Sequence, residues 1–173
     1  MTDQPDQAYR EYVTDRQHMF RRLAYLLCQD WHSADDLVQN TMVKLYLRWE
    51  RVAAATDRDA YARTVLVRVF LSERRTSWAR RVVLVDAGQD TTAVSDPDPA
   101  AAVAVRAALA ALPPRQRAVI VLRFYSDLSV DQTADALNCS AGTVKSQTSR
   151  ALAALRRALP DEEPAQHHRG VPR

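Results

Sequence analysis

The sequence predicts an all-α protein made of two small helical-bundle domains joined by a flexible linker, the second containing a helix-turn-helix. Three observations lead there. Only three glycines occur among 173 residues rich in Ala, Leu, Arg and Val, a composition that favours helix over strand. Apolar residues recur at helical spacing in both halves of the chain. Between the halves, residues 82–100 hold four aspartates, two prolines, no lysine or arginine and no periodicity, which is the texture of a linker. A structureless stretch of that length is uncommon inside one compact domain.

The first block, residues 8–81, starts near Tyr9. Phe20, Leu23, Ala24 and Leu27 fall at i, i+3, i+4 and i+7, one buried stripe. Ser33 is the expected N-cap of the next helix, with Asp35 and Asp36 in the first turn, where the helix dipole favours carboxylates. Val38, Met42, Leu45 and Trp49 give its apolar side. After a break at "AAATDRD", Asp59 is placed to cap a third helix from Ala60 to about Arg75, with Ala62, Val65, Leu66 and Val69 facing the core. The second block, residues 101–160, opens with "AAVAVRAALAAL", stopped by Pro113-Pro114, and Pro114 suits the first position of the following helix. Ser129 and Gln132 make an S-x-x-Q capping box. Asn138 suits the left-handed residue of a tight turn, and Ser140 caps a last helix running to Leu159. The tail, residues 161–173, reads as disordered.

Charge narrows the function. The formal net charge is +3, but residues 1–81 carry +3, residues 82–100 carry −4 and residues 101–160 carry +5. Two basic blocks around an acidic spacer fit a nucleic-acid partner. Cys28 and Cys139 stand far apart and read as small buried hydrophobes. Cys28 and His32 have ligand spacing but no second pair, so no metal is expected. No nucleophile–base pair or phosphate-cradling glycine loop is present, so neither an enzyme, a cofactor nor a small-molecule substrate is expected. The polar N-terminus and the lack of a membrane-length apolar run point to a cytoplasmic protein.

The last helix divides into two sides. Val144, Thr148, Ala151, Leu152, Leu155 and Leu159 share one arc for packing on a bundle. Lys145, Ser146, Ser149, Arg150 and Arg157 occupy the adjoining arc, offering cations and hydroxyls outward. A helix of this kind fits the major groove, where Arg and Lys reach guanine or phosphate. Ala141, Gly142 and Thr143 keep its first turn slim enough for its amides to approach phosphate. In the first block Tyr61, Thr64, Arg68 and Arg75 line up within roughly 60° on a helical wheel. An aromatic, a hydroxyl and arginines on one stripe suit an unstacked base and its phosphates.

The stretches "SADDLVQNTMVKLY", "AYARTVLVRVFLSERR" and "LPPRQRAVIVLRFYSDLSVDQTADALNCSAGTVKSQTSRALAALRRAL" resemble the bacterial extracytoplasmic-function sigma factors, small specificity subunits of RNA polymerase. The order of a region-two block, a linker and a region-four block matches as well. The resemblance implies that Asp35, Asp36, Gln39 and Lys44 dock on core RNA polymerase. It implies that the loop 52–59 pockets a flipped base of the minus-ten promoter element, with Tyr61, Thr64, Arg68 and Arg75 along the melted strand. Thr143, Lys145, Ser146, Gln147, Ser149 and Arg150 would read the minus-thirty-five element. An anti-sigma factor is a further partner the resemblance suggests. The family usually has Asn at Arg68, Gly at Asn138 and an apolar residue at Thr148. An arginine at 68 either reads a different base or binds phosphate. The competing reading is a free-standing dimeric helix-turn-helix regulator.

Overall fold

The computed structural model describes residues 3–81 and 99–159, with side chains described from residue 6 to 76 and from 102 to 159. The acidic stretch at 82–98 and the tail at 161–173 lie outside them. Every regular element among the described residues is helical.

Helix α1 (Asp3–Cys28) buries the expected stripe of Phe20, Leu23, Ala24 and Leu27 completely or nearly so. Each such side chain contributes roughly 1.5–3 kcal/mol relative to exposure, less for alanine. The helix stops at Gln29, which turns left-handed with φ 62° while its side-chain amide donates to Leu26 O at 2.7 Å. Helix α2 (Trp31–Tyr46) is capped by Asp30 rather than Ser33. The Asp30 carboxylate accepts from the His32 and Ser33 amides at 3.3 and 2.8 Å, so Ser33 is a donor inside the first turn. Asp35 and Asp36 consequently sit beyond that turn.

Hydrogen bonds from Ser33 hold the Asp30 carboxyl below its ordinary pKa. A depressed carboxyl stabilises the fold fully above the unfolded-state pKa and loses that contribution as pH falls through the folded-state value. Asp30→Ala is therefore expected to cost about 1 kcal/mol near neutrality. The gap between its melting temperature and that of wild type should close as both are acidified. A gap that stays constant down to about pH 2 would assign the loss to something other than the ionised cap.

The expected second helix is interrupted after Tyr46: Trp49 sits instead on a separate five-residue helix, α3 (Trp49–Ala53), which buries Trp49 and Val52 and runs up to the expected break. Helix α4 (Arg58–Arg81) begins two residues before the expected start. Asp57 accepts from the Ala60 amide at 2.8 Å, and Asp59 instead pairs with Arg16 and Tyr12 of α1. Ala62, Leu66 and Val69 are buried as expected, and Val67 and Phe70 join them.

Helix α5 (Pro99–Ala111) ends before the diproline, and α6 (Pro114–Ile120) starts on Pro114. It continues as a π-helical turn (Val121–Tyr125), where the Ser126 amide reaches back five residues to Val121 O at 3.0 Å. Helices α7 (Val130–Leu137) and α8 (Ala141–Ala158) complete the chain.

The two blocks pack on each other. One apolar interior takes Phe20, Leu27, Leu37, Leu66 and Phe70 from the first block and Val119, Leu122, Ala136, Leu137 and Val144 from the second. The alanines 118, 134 and 136, all buried, leave room for close approach of the helices. A smaller cluster joins Leu109, Leu112, Ile120 and Ala151, with Leu152 and Leu155 of α8 beside them, and Leu26 of α1 packs there too. The leucine side of α8 thus holds the last helix to α5 and α6, while the core beneath them runs on into the first block.

Candidate nucleic-acid interface

The turn between α7 and α8 is built from local bonds. Ser129 Oγ accepts from the Gln132 amide at 3.1 Å, and the Gln132 side chain returns to the Ser129 amide at 2.7 Å. Asn138 adopts φ 50°, ψ 57°, and the next amide, of Cys139, closes on Ala134 O at 3.0 Å. Ser140 Oγ then accepts from the Thr143 amide at 3.1 Å, starting α8. Val144 is wholly buried under the turn. Thr148 Oγ1 donates to Val144 O at 2.8 Å, so its hydroxyl is satisfied within α8 on the packing side.

This arrangement turns Lys145, Ser146, Ser149 and Arg150 outward, all exposed, with Thr143 and Gln147 half-buried beside them. No carboxylate among the described residues forms an ion pair with Lys145 or Arg150. Two unneutralised cations and several hydroxyls on one open side can take phosphates and base edges. A β-carbon at Gly142 would meet only Ser140 Oγ, at 3.8 Å, so the first turn faces open space. Arg123 and Arg156 line a groove with Lys145 and Ser149, two cations that the sequence reading missed. Residues 145, 149, 152 and 156 follow i, i+4, i+7 and i+11, so Arg156 was legible on the wheel. Arg123 comes from the π-helical turn and was not.

The first-block stripe has a different setting. Tyr61 is half-buried, and Thr64 Oγ1 donates to Ala60 O at 2.9 Å. Arg68 reaches the other block: its Nε donates to Ala136 O at 2.8 Å and its Nη2 to Asp135 O at 2.7 Å. Arg68, Arg74, Arg75 and Arg115 line an open cleft of about 690 Å³ between α4 and the start of α6, with Leu137 and Asn138 also on its wall. The preceding loop is ordered by Asp57 and by Arg58, whose Nε donates to Ala53 O at 3.2 Å.

On α2, Asp35 is bridged by Arg21 through bonds of 2.7 and 3.1 Å, and Arg21 lies over the Trp31 ring at 4.6 Å. Asp36 faces His32 at 3.8 Å, while Gln39 and Lys44 are exposed. The same helix end shows Val43, Tyr46 and, 74% exposed, Leu47. This apolar group lay outside the buried stripe; Tyr46 packs its ring against Tyr9 and donates to Asp6, while Val43 and Leu47 face outward. No group of metal-ligating side chains is found among the described residues, and no helix there is long and apolar enough to cross a membrane.

Comparison with known proteins gives matches along both blocks. Residues 12–80 match the profile of Sigma-70 region 2, and residues 102–155 that of Sigma-70, region 4. The RNA polymerase sigma-E factor of Streptomyces avermitilis is 39% identical, over 87% of this chain and 84% of its own. The ECF RNA polymerase sigma factor SigL of Mycobacterium tuberculosis is 34% identical, over 80% of this chain and 81% of its own. Among solved structures, the sigma factor RpoE of Bartonella quintana, in complex with the anti-sigma factor NepR, shares the fold. The TM-score is 0.72 at 24% identity, over 91% of this chain and 99% of that one.

Proposed function

Since this chain belongs to the extracytoplasmic-function sigma factors of the sigma-70 family, we propose that it directs transcription initiation by contacting core RNA polymerase and two promoter elements through separate surfaces. It binds and positions, and the polymerase performs the bond chemistry. Residues 8–81 act as the region-two domain, which grips polymerase and the minus-ten element, and residues 101–160 as the region-four domain for the minus-thirty-five element. Residues 82–98 join the two along the chain, up to the start of α5 at Pro99. Two modest contacts joined by a tether act together through effective concentration.

The observation that carries this reading is the open cationic side of α8, with Lys145 and Arg150 exposed on a helix-turn-helix whose opposite side is packed. Thr143, Ser146, Gln147 and Ser149 complete the minus-thirty-five surface. Tyr61, Thr64, Arg68 and Arg75 form the minus-ten stripe. Asp35, Asp36, Gln39 and Lys44, with the exposed Val43 and Leu47 beside them, form the polymerase-docking side of α2. The match of the first block to region 2 favours this account over a free-standing dimeric regulator. The protein works where polymerase and promoters are, in the cytoplasm, and an anti-sigma factor is a fitting restraint on it. Run-off transcription on a promoter library tests the proposal. Core enzyme plus this protein should yield promoter-specific transcripts that core alone does not, and their absence on every promoter would refute it.

A further inference from the structure

We propose that Arg68 is a latch. In the free protein it clamps the first block onto the end of α7, and this closed form withholds the minus-ten stripe until the two blocks part. The inference rests on the promoter-reading role of that stripe.

Three observations carry it. First, the guanidinium of Arg68 donates two bonds, of 2.8 and 2.7 Å, to Ala136 O and Asp135 O. These are carbonyls of the last turn of α7, where the helix dipole favours a cation; Asp135 O also accepts from the Asn138 amide at 3.3 Å, so Arg68 takes its second lone pair. The fork shape of guanidinium lets one side chain serve both oxygens, which an ammonium cannot do with the same fixed geometry. Second, the contact is backed by apolar packing: Phe70 of α4 and Ala136 and Leu137 of α7 are buried in the same interior. Third, a second arginine ties the blocks elsewhere: Arg117 of α6, only 7% exposed, donates to Leu27 O of α1 at 2.6 Å.

The geometry makes closure and minus-ten reading compete. Tyr61, Thr64, Arg68 and Arg75 share one side of α4, and the α7 backbone lies within hydrogen-bond reach of the third of them. A strand tracking that stripe would have to displace α7. The outward side of α8 stays exposed in the closed form, so the latch hides one promoter-reading surface and leaves the other open. A side chain that stabilises closure by day-to-day contact with carbonyls, and phosphate or base contact after opening, links the two states at one residue. On this reading core polymerase holds the two blocks apart over the two promoter elements and so binds the open form, and its apparent affinity falls by the open fraction.

The test reads opening and assembly without DNA, so that a promoter contact at Arg68 does not enter. Wild type, Arg68→Ala and Arg68→Lys are compared for radius of gyration by small-angle scattering and for affinity toward core polymerase. Circular dichroism establishes that each variant keeps its helical content. Arg68→Ala should be measurably more extended and bind core about tenfold tighter, the effect of losing two charge-assisted bonds that hold the closed form. Arg68→Lys should fall between. Unchanged dimensions and unchanged core affinity in Arg68→Ala would overturn the latch, as would a wild type already extended in solution. Failure of wild type to support any promoter-specific transcription would instead strike the sigma-factor reading, and the scattering comparison would still judge the latch.

Discussion

Arg150→Glu is expected to lower transcription from a promoter with a minus-thirty-five element by about 100-fold while leaving the fold intact. Arg150 is exposed on the outward side of α8 and forms no ion pair among the described residues, so reversing its charge removes nothing the fold uses. At the DNA it removes a guanidinium and adds a carboxylate facing phosphate. A well-placed bidentate contact to a base discriminates by roughly 1–3 kcal/mol, and repulsion adds to its loss. Arg150→Ala separates two modes of contact. If the residue reads a base, the loss depends on the sequence at that step; if it binds phosphate, all promoters weaken alike and the salt slope of binding falls by about one. Run-off transcription and binding titrations at several salt concentrations give both readouts. A transcript level within about twofold of wild type for Arg150→Glu would take α8 out of the interface.

The second large effect is structural. Arg117→Ala should cost about 3–4 kcal/mol, because one buried side chain satisfies three carbonyls. Its Nη1 donates to Leu27 O at 2.6 Å, and its Nη2 donates to Ala110 O and Leu112 O at 2.7 and 3.1 Å. These oxygens close the C-terminal ends of α1 and α5, so a cation there meets two helix dipoles at once. Burial, with the nearby charge of Arg74, brings the Arg117 pKa down to about 10, so the group stays charged at neutral pH. Removing the side chain strands the carbonyls and opens a cavity. For a chain of this size the melting temperature should drop by roughly 10 °C, followed by circular dichroism. Arg117→Met, which keeps the volume and loses the donors, should lie between. A melting temperature for Arg117→Ala within about 2 °C of wild type would mean that water or neighbours satisfy those oxygens as well.

The helix-turn-helix was the most legible part of the chain because its signals are local. Ser129, Gln132, Asn138 and Ser140 each act on atoms within a few residues, and the structure uses all four. The stripe from Phe20 to Leu27 was legible for the same reason, one helix showing one period. The misplaced caps show the limit. Asp57 and Asp59 are equally good caps in sequence, and Asp59 is diverted by Arg16 and Tyr12, more than 40 residues away. Ser33 lost its cap to Asp30, three residues earlier, although both residue types suit the role. Helix α3 is too short to display a period, and the π-helical turn breaks the very spacing a wheel assumes. The partners of Arg68 were beyond reach of any pattern. They are backbone carbonyls 67 and 68 residues away, and a carbonyl carries no residue identity. The exposed Val43, Tyr46 and Leu47 were missed because a search for stripes looks for what is buried.

The common apolar interior has a thermal consequence. Exposing such surface raises heat capacity, so hydrophobic attraction between the halves weakens on cooling. The balance between compact and parted chains therefore depends on temperature, with cold loosening the contact between the halves. A molecule whose halves share such an interior, beside the polar ties of Arg68 and Arg117, carries a crude thermometer in its own core.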